Sequence, residues 1–390
     1  MQISRTALLG LLGAATSALA LETPDSTGTE ILADLQTEAI KNLKKQETCG
    51  SRKHNSTCTL ENATVRRDWR ALSASEKTDY IDAVLCLMDK PSKADPSFAP
   101  GSRSRYDDFV AVHINQTLTI HGTGNFLTWH RYYVWAYEYA LQNECGYNGT
   151  QPGQYWNWFD GSDFSNHPIF DGSDTSMSGD GEYVAHNGSL GGSNNIYLPS
   201  GEGGGCVKDG PFKDMIVTLG PVSPGMDGMK AQNGSGLDYN PRCLSRDLTK
   251  HAVDTWMTAE NLWNLTQGDA SGSISLFQDE FQGRFGDEFL GIHAAGHFTM
   301  GGDSADLFAS PTDPIFWLHH SMTDRLYWLW QALHLKQAKT IAGTITILNL
   351  PPSRDALVSD PLNLGVNAPE ITIDDALDTV GNSPFCYIYE

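Results

Sequence analysis

Six of the twelve histidines fall into two sets of three, and their spacing constrains the fold more than any other feature of this 390-residue chain. His293-Ala-Ala-Gly-His297 puts two imidazoles at i and i+4 on one helix face, where both can reach one metal ion. A third, His320, comes from Asp313-Pro-Ile-Phe-Trp-Leu-His319-His320, on the apolar face of the next helix. Upstream, His113 lies in a helical stretch, His121 in the loop His121-Gly-Thr-Gly124 and His130 in an aromatic helix, so a helix-loop-helix unit gathers three more. Phe126 precedes His130 by four residues and Phe316 precedes His320 by four, which places an aromatic ring one turn below a ligand in each half. Imidazoles without a carboxylate favour copper or zinc over calcium, magnesium or manganese. The zinc-hydrolase alternative is short of a part, because the zincin helix carries Glu after its first His and here Ala294 and Ala295 stand inside the pair. Two three-histidine sites in one bundle core describe a dinuclear centre.

Apolar periodicity predicts helices over 21–48, 66–88, 105–115, 129–143, 248–265, 275–281, 290–298 and 313–333, with Ser73 and Glu76 as an N-cap and its partner. Between 160 and 241 the periodicity vanishes into Gly-Ser-Asp-Asn stretches, which read as long ordered loops walling or covering a site. The β-branched segment 340–348 reads as a short strand or an extended strap. No linker or fixed-period repeat interrupts the chain. The expected architecture is mainly α: a four-helix bundle core holding a dinuclear site, surrounded by long Gly-rich loops and a few short strands, as a single domain over 21–390.

Composition narrows the function. With 40% hydrophobic residues and 19% charged, disorder is excluded, and a formal charge of −21 repels nucleic acid and anionic bilayers. Residues 1–20 read as a secretory signal: Arg5, an apolar run from Ala7 to Ala15, and Ser17-Ala18-Leu19-Ala20 before the cut. No later run is long enough to span a membrane. Seven cysteines imply up to three disulfides and one odd thiol in an oxidising compartment. Seven sequons, at Asn55, Asn62, Asn115, Asn148, Asn187, Asn233 and Asn264, point to a secreted glycoprotein. A monomer or weak homo-oligomer is expected.

The patterns His121-x8-His130-Arg131, His293-x3-His297 and Asp313-Pro-x-Phe-x2-His319-His320-x3-Asp324-Arg325, covering about 110–335, resemble the two copper signatures of the tyrosinase, catechol oxidase and haemocyanin superfamily. The ending Tyr387-Ile-Tyr389 is similar to the Tyr-x-Tyr closing the catalytic core of fungal members, and the chain is closest to short secreted polyphenol oxidases without a C-terminal lid domain. The resemblance implies two copper ions, with dioxygen as co-substrate and small phenols as partners. It makes His113, His121 and His130 ligands of the first copper and His293, His297 and His320 ligands of the second, with His319 the adjacent non-ligand and a fallback base. Arg131 and Asp324 are expected to pair behind the ligands. Departures from the family pattern bear on substrate choice. Thr119 stands where a thioether Cys is found in many fungal members; Ala294 replaces an Asn, and Gln282 a Glu, that together orient a water for monophenol deprotonation. Phe298 is expected to narrow the entrance. These features imply oxidation of ortho-diphenols and o-aminophenols to quinones with weak monophenol hydroxylation. The alternatives are a tyrosinase with full monophenolase activity or a haemocyanin-like oxygen carrier.

Overall fold

A computed structural model describes residues 26–48, 57–149, 154–192, 195–381 and 384–390. The signal segment, Cys49 and Asn55 lie outside these residues. Nine α-helices are present among them: α1 (Gly28–Thr48), α2 (Ala74–Asp89), α3 (Arg105–Ile120), α4 (Phe126–Cys145), α5 (Lys250–Trp256), α6 (Ala259–Thr266), α7 (Ile274–Gln282), α8 (Ile292–Met300) and α9 (Phe316–Leu333). Helices α3, α4, α8 and α9 form the core that carries the histidines, as the sequence leads one to expect.

Local chemistry explains where these helices start. Ser73 accepts from the Glu76 amide while Glu76 reaches back to the Ser73 amide, and Ser104 with Asp107 repeats this capping box on α3. Helix α9 begins behind Asp313-Pro314, whose carboxylate accepts from the Ile315 amide at 3.1 Å and takes a bidentate ion pair from Arg246 at 2.8 and 2.7 Å. Arg246 is fully buried and also donates to the carbonyls of Ser178 and Gly179. One guanidinium thus fastens the glycine-rich loops to the helix that carries His320. Helices α4 and α9 pack through aromatics: Tyr137 stacks flat on Trp317 at 3.7 Å, and Tyr133 contacts Trp317 at 4.8 Å.

Three expectations are corrected. Residues 66–68 are not helical; Thr64–Asp68 is a strand, paired in parallel with Tyr387–Tyr389 on one side and Gln154–Tyr155 on the other. Helix periodicity could not reveal a ladder whose partner lies more than three hundred residues away. The helix expected over 248–265 is two helices, because Thr258 leaves helical geometry to cap α6 through the Asn261 amide. The helix expected over 105–115 runs on to Ile120, so that His121 is its C-terminal cap residue.

The glycine-rich region is ordered, with short antiparallel ladders pairing 181–183 with 204–207, 189–191 with 196–198, and 216–217 with 242–243. Segment 340–358 is the strap, without a strand over 340–348 among the described residues. Disulfides join Cys58 to Cys386, Cys86 to Cys145 and Cys206 to Cys243, tying together the chain's two end segments, α2 to α4, and two of the loops. Among the described residues, no helix is long and apolar enough to cross a membrane. Asn62, Asn115, Asn148, Asn187 and Asn233 are exposed; Asn264 is half-buried on α6, its Nδ2 donating to Glu280 and its Oδ1 accepting from Ala270.

Candidate metal centre

His113 projects from α3, His121 from the end of that helix and His130 from α4, one turn above Phe126. Each of these rings points its Nδ1 at a backbone carbonyl: His113 to Phe308 at 2.7 Å, His121 to Thr117 at 3.0 Å and His130 to Phe126 at 2.8 Å. A carbonyl only accepts, so Nδ1 carries the proton and Nε2 is left with a lone pair facing inward. Among the described residues the Nε2 atoms of His113 and His130 are buried without a hydrogen-bond partner, and the three rings offer donor atoms within 4.8 Å of one another.

His293 and His297, one turn apart on α8, meet His320 of α9. The Nε2 of His320 lies 3.4 Å from that of His293 and 3.2 Å from that of His297. Three ring nitrogens crowded this closely are set to share one ligand, and the convergence fits a bound metal. His320 stacks on Phe316 at 4.0 Å and on His130 of the other set at 4.7 Å, so the two trios face each other across one chamber. Burial, reinforced for most by neighbouring imidazoles, holds all six rings neutral, with His121 pushed down to about 4 and His297 to about 3. Neutral imidazole is the metal-binding form.

His319 is fully buried, 5.0 Å from Trp158, 5.5 Å from His293 and 4.5 Å from His297. It is not among the residues lining the pocket, yet its ring offers a nitrogen within 4.8 Å of those of His293, His297 and His320, and among the described residues neither of its nitrogens has a hydrogen-bond partner, so the second set is a group of four imidazoles. Gly296 explains the small residue inside the histidine pair: a Cβ there would lie 2.1 Å from the His319 ring.

Arg131 and Asp324 do pair, at 2.6 Å and fully out of solvent. The cluster is larger than the sequence indicates. Arg66 bonds both Asp324 at 3.3 Å and Glu138 at 2.5 Å, while the Tyr387 and Tyr389 hydroxyls donate to Asp324 at 2.5 and 2.7 Å. Two guanidiniums thus balance two carboxylates between α4 and α9, and these arginines keep the Asp324 carboxyl below its usual range against the effect of burial.

A pocket of about 320 Å³ opens onto this chamber, lined by His121, His293 and His297, with Ala294, Phe298 and Gln282 around them. Gln282 has a function not foreseen from sequence: its Oε1 accepts from the Gly122 amide at 2.8 Å, clamping the loop that begins at His121. On its other side the loop is held by the strap, through Gly124 N–H to Thr344 at 2.9 Å and Leu348 N–H to Gly122 at 3.1 Å. Side chains on those glycines would meet the strap: a Cβ on Gly124 would lie 2.6 Å from Ala356 and 2.7 Å from the Gly343 carbonyl. Phe298 packs against Gly191 and Gly225, so the glycine-rich loops do wall the site. Thr119 is exposed on the outer face of α3.

A bundle that turns two facing trios of neutral imidazoles onto one chamber beneath an open pocket is the architecture of a dinuclear copper oxidoreductase. The family description "Common central domain of tyrosinase" matches residues 103–333. "Tyrosinase P" of Aspergillus terreus is 38% identical over 334 residues, covering 83% of this chain and 91% of that protein. An N-acetyl-6-hydroxytryptophan oxidase of Emericella nidulans is 38% identical over 350 residues, covering 85% of this chain and 94% of its own length. Among solved structures, a single-substitution mutant of a polyphenol oxidase from Thermothelomyces thermophila superposes with a TM-score of 0.86 at 38% identity, covering 93% of this chain and 98% of that one. The chain belongs to the tyrosinase family, and is an oxidoreductase of the dinuclear copper type that uses dioxygen as co-substrate.

Proposed function

We propose that the protein is a secreted ortho-diphenol oxidase: two diphenols and one dioxygen give two ortho-quinones and two waters, with o-aminophenols as further substrates and monophenol hydroxylation weak. His113, His121 and His130 hold one copper in this reading, and His293, His297 and His320 the other. When bound, the copper pair supplies the two-electron chemistry that couples dioxygen reduction to phenol oxidation.

The observation that carries the reading is that, among the described residues, no carboxylate lines the pocket. A monophenol, with a pKa near that of Tyr at about 10, gains from a positioned base, which is worth roughly 10²–10⁴-fold. Ala294 offers no polar atom, and the Gln282 oxygen is engaged by Gly122. A diphenol is more acidic and presents two adjacent oxygens, so it loses less without that base. Export is supported by the signal-like segment 1–20 and three disulfides.

The test is oxygen uptake by the copper-loaded protein with catechol, o-aminophenol, tyrosol and tyramine. Catechol is expected to exceed tyramine in kcat/KM by at least roughly 10²-fold. Rapid, lag-free tyramine hydroxylation would replace the reading with a full tyrosinase, and reversible oxygen binding without catechol turnover would replace it with a carrier.

A further inference from the structure

We propose that the pocket selects diphenols bearing an uncharged, apolar substituent over those bearing a carboxylate or ammonium group, with Leu348 as the surface on which that substituent rests. The proposal deepens the diphenol-oxidase reading and rests on it.

Although the chain carries a formal charge of −21, among the described residues no Asp, Glu, Lys or Arg lines the pocket. Arg284 sits in sequence between the lining residues Gly283 and Phe285, yet its guanidinium is turned to Glu280 at 2.8 Å and Asp287 at 2.9 Å. A substrate carboxylate therefore finds no cation within the pocket and approaches through the field of an acidic protein, while an ammonium finds no anion to pair with once inside.

What the mouth does offer is apolar. Leu190, Leu307 and Leu348 line the pocket and remain 46%, 41% and 58% exposed, and Phe285 and Phe298 complete the rim. Leucines from three separate segments thus line one opening, where an apolar substituent can rest on them. Leu348 is the most specifically placed of them. Its backbone is left-handed at φ 49° and ψ 28°, an uncommon conformation for leucine, and it is fixed there by its N–H to the Gly122 carbonyl. The strap thus holds an apolar side chain at the lip of the loop that carries His121.

The experiment compares tert-butylcatechol, catechol and dihydroxyphenylalanine with the copper-loaded protein, by oxygen uptake and by anaerobic titration calorimetry. tert-Butylcatechol is expected to exceed dihydroxyphenylalanine roughly ten-fold or more in kcat/KM, mainly through KM, and to bind correspondingly tighter. Leu348→Asn keeps a residue that tolerates left-handed backbone and removes the apolar contact. It should cut the advantage of tert-butylcatechol over dihydroxyphenylalanine several-fold. Equal values for the two in the wild type would overturn the proposal, as would an advantage unchanged in Leu348→Asn. Failure to oxidise catechol would instead strike the diphenol-oxidase reading, and the anaerobic binding ratio would still decide this one.

Discussion

In the first histidine trio every ring is pinned by a backbone carbonyl; in the second only His297 is, through Ser304 at 3.1 Å. Among the described residues His320 has no partner for its Nδ1, and it is oriented by stacking on Phe316, while His293 lies against the buried ring of His319 at 5.5 Å. The first trio also lies deeper, contributing only His121 to the pocket, where the second contributes His293 and His297. Hydrogen bonds to fixed carbonyls set both tautomer and orientation, whereas aromatic contacts set orientation alone. The second trio is therefore the one whose geometry depends on its packing neighbours, and it is also the one facing the substrate.

The largest expected effect comes from deleting a ligand. His113→Ala and His297→Ala should each lower copper from two to about one per chain and abolish catechol-dependent oxygen uptake, since the chemistry needs the pair. Two coppers retained in either variant would contradict the ligand sets.

Asp324→Asn strikes the frame shared by both trios. Removing one partner from a buried ion network costs about 3–5 kcal/mol, read as a lower denaturation midpoint, and roughly 10–100-fold in metal affinity or activity. An unchanged midpoint would reduce the Arg66–Arg131–Asp324–Glu138 cluster to a passive arrangement.

Gly296→Ala separates the trios. By helix propensity alone the change should stabilise α8 by about 1 kcal/mol. Instead the new Cβ meets His319, which bears on His293 and His297, so the second copper should bind more weakly while the first is retained. Equal weakening at both sites would erase the distinction between carbonyl-pinned and packing-held rings.

A gentler probe is pH. Each of the six imidazoles titrates near 6.5 in the unfolded chain and is held neutral in the fold, with His121 at about 4 and His297 at about 3. A depressed folded pKa favours the unfolded state once that state takes up protons, so the copper-free protein should keep its full stability above pH about 6.5 and lose it progressively as pH falls from there. Denaturation midpoints of the copper-free protein at a series of pH values check the sign. The smallest effect on catechol turnover is expected from Ala294→Asn with Gln282→Glu, which keeps an acceptor for Gly122 N–H while adding a base and a polar neighbour. It should raise monophenol turnover and leave catechol oxidation within a few-fold, measured by oxygen uptake.

How much of this was legible in the sequence follows from the range of each interaction. His293 and His297, Phe126 below His130, and Ser73 capping Glu76 are separated by a helical turn, and such short spacings are written in the local pattern. The inward-facing histidines of α4 and α9 were readable for the same reason. Arg66 was misplaced on a helix because its position depends on Tyr387 and Tyr389, which periodicity within 66–88 cannot encode. Gln282 was singled out through the family pattern, as a missing base; its hold on Gly122 is a contact across 160 residues that no motif announces. The reading of 121–124 as a loop said nothing of the strap that passes over Gly122 and Gly124, nor of the His319 ring against Gly296, because both partners come from elsewhere in the chain.

Arg66 and Tyr389 are 323 residues apart, yet both bond Asp324 beneath the chamber, and the Cys58–Cys386 bridge closes over nearly the same span. During synthesis, Asp324 and Arg131 leave the ribosome long before the tyrosines that complete their surroundings. Until residues 387–389 lie beside Thr64–Asp68, helices α4 and α9 have an unfinished floor, so the frame behind both histidine trios is closed by two segments far apart in sequence.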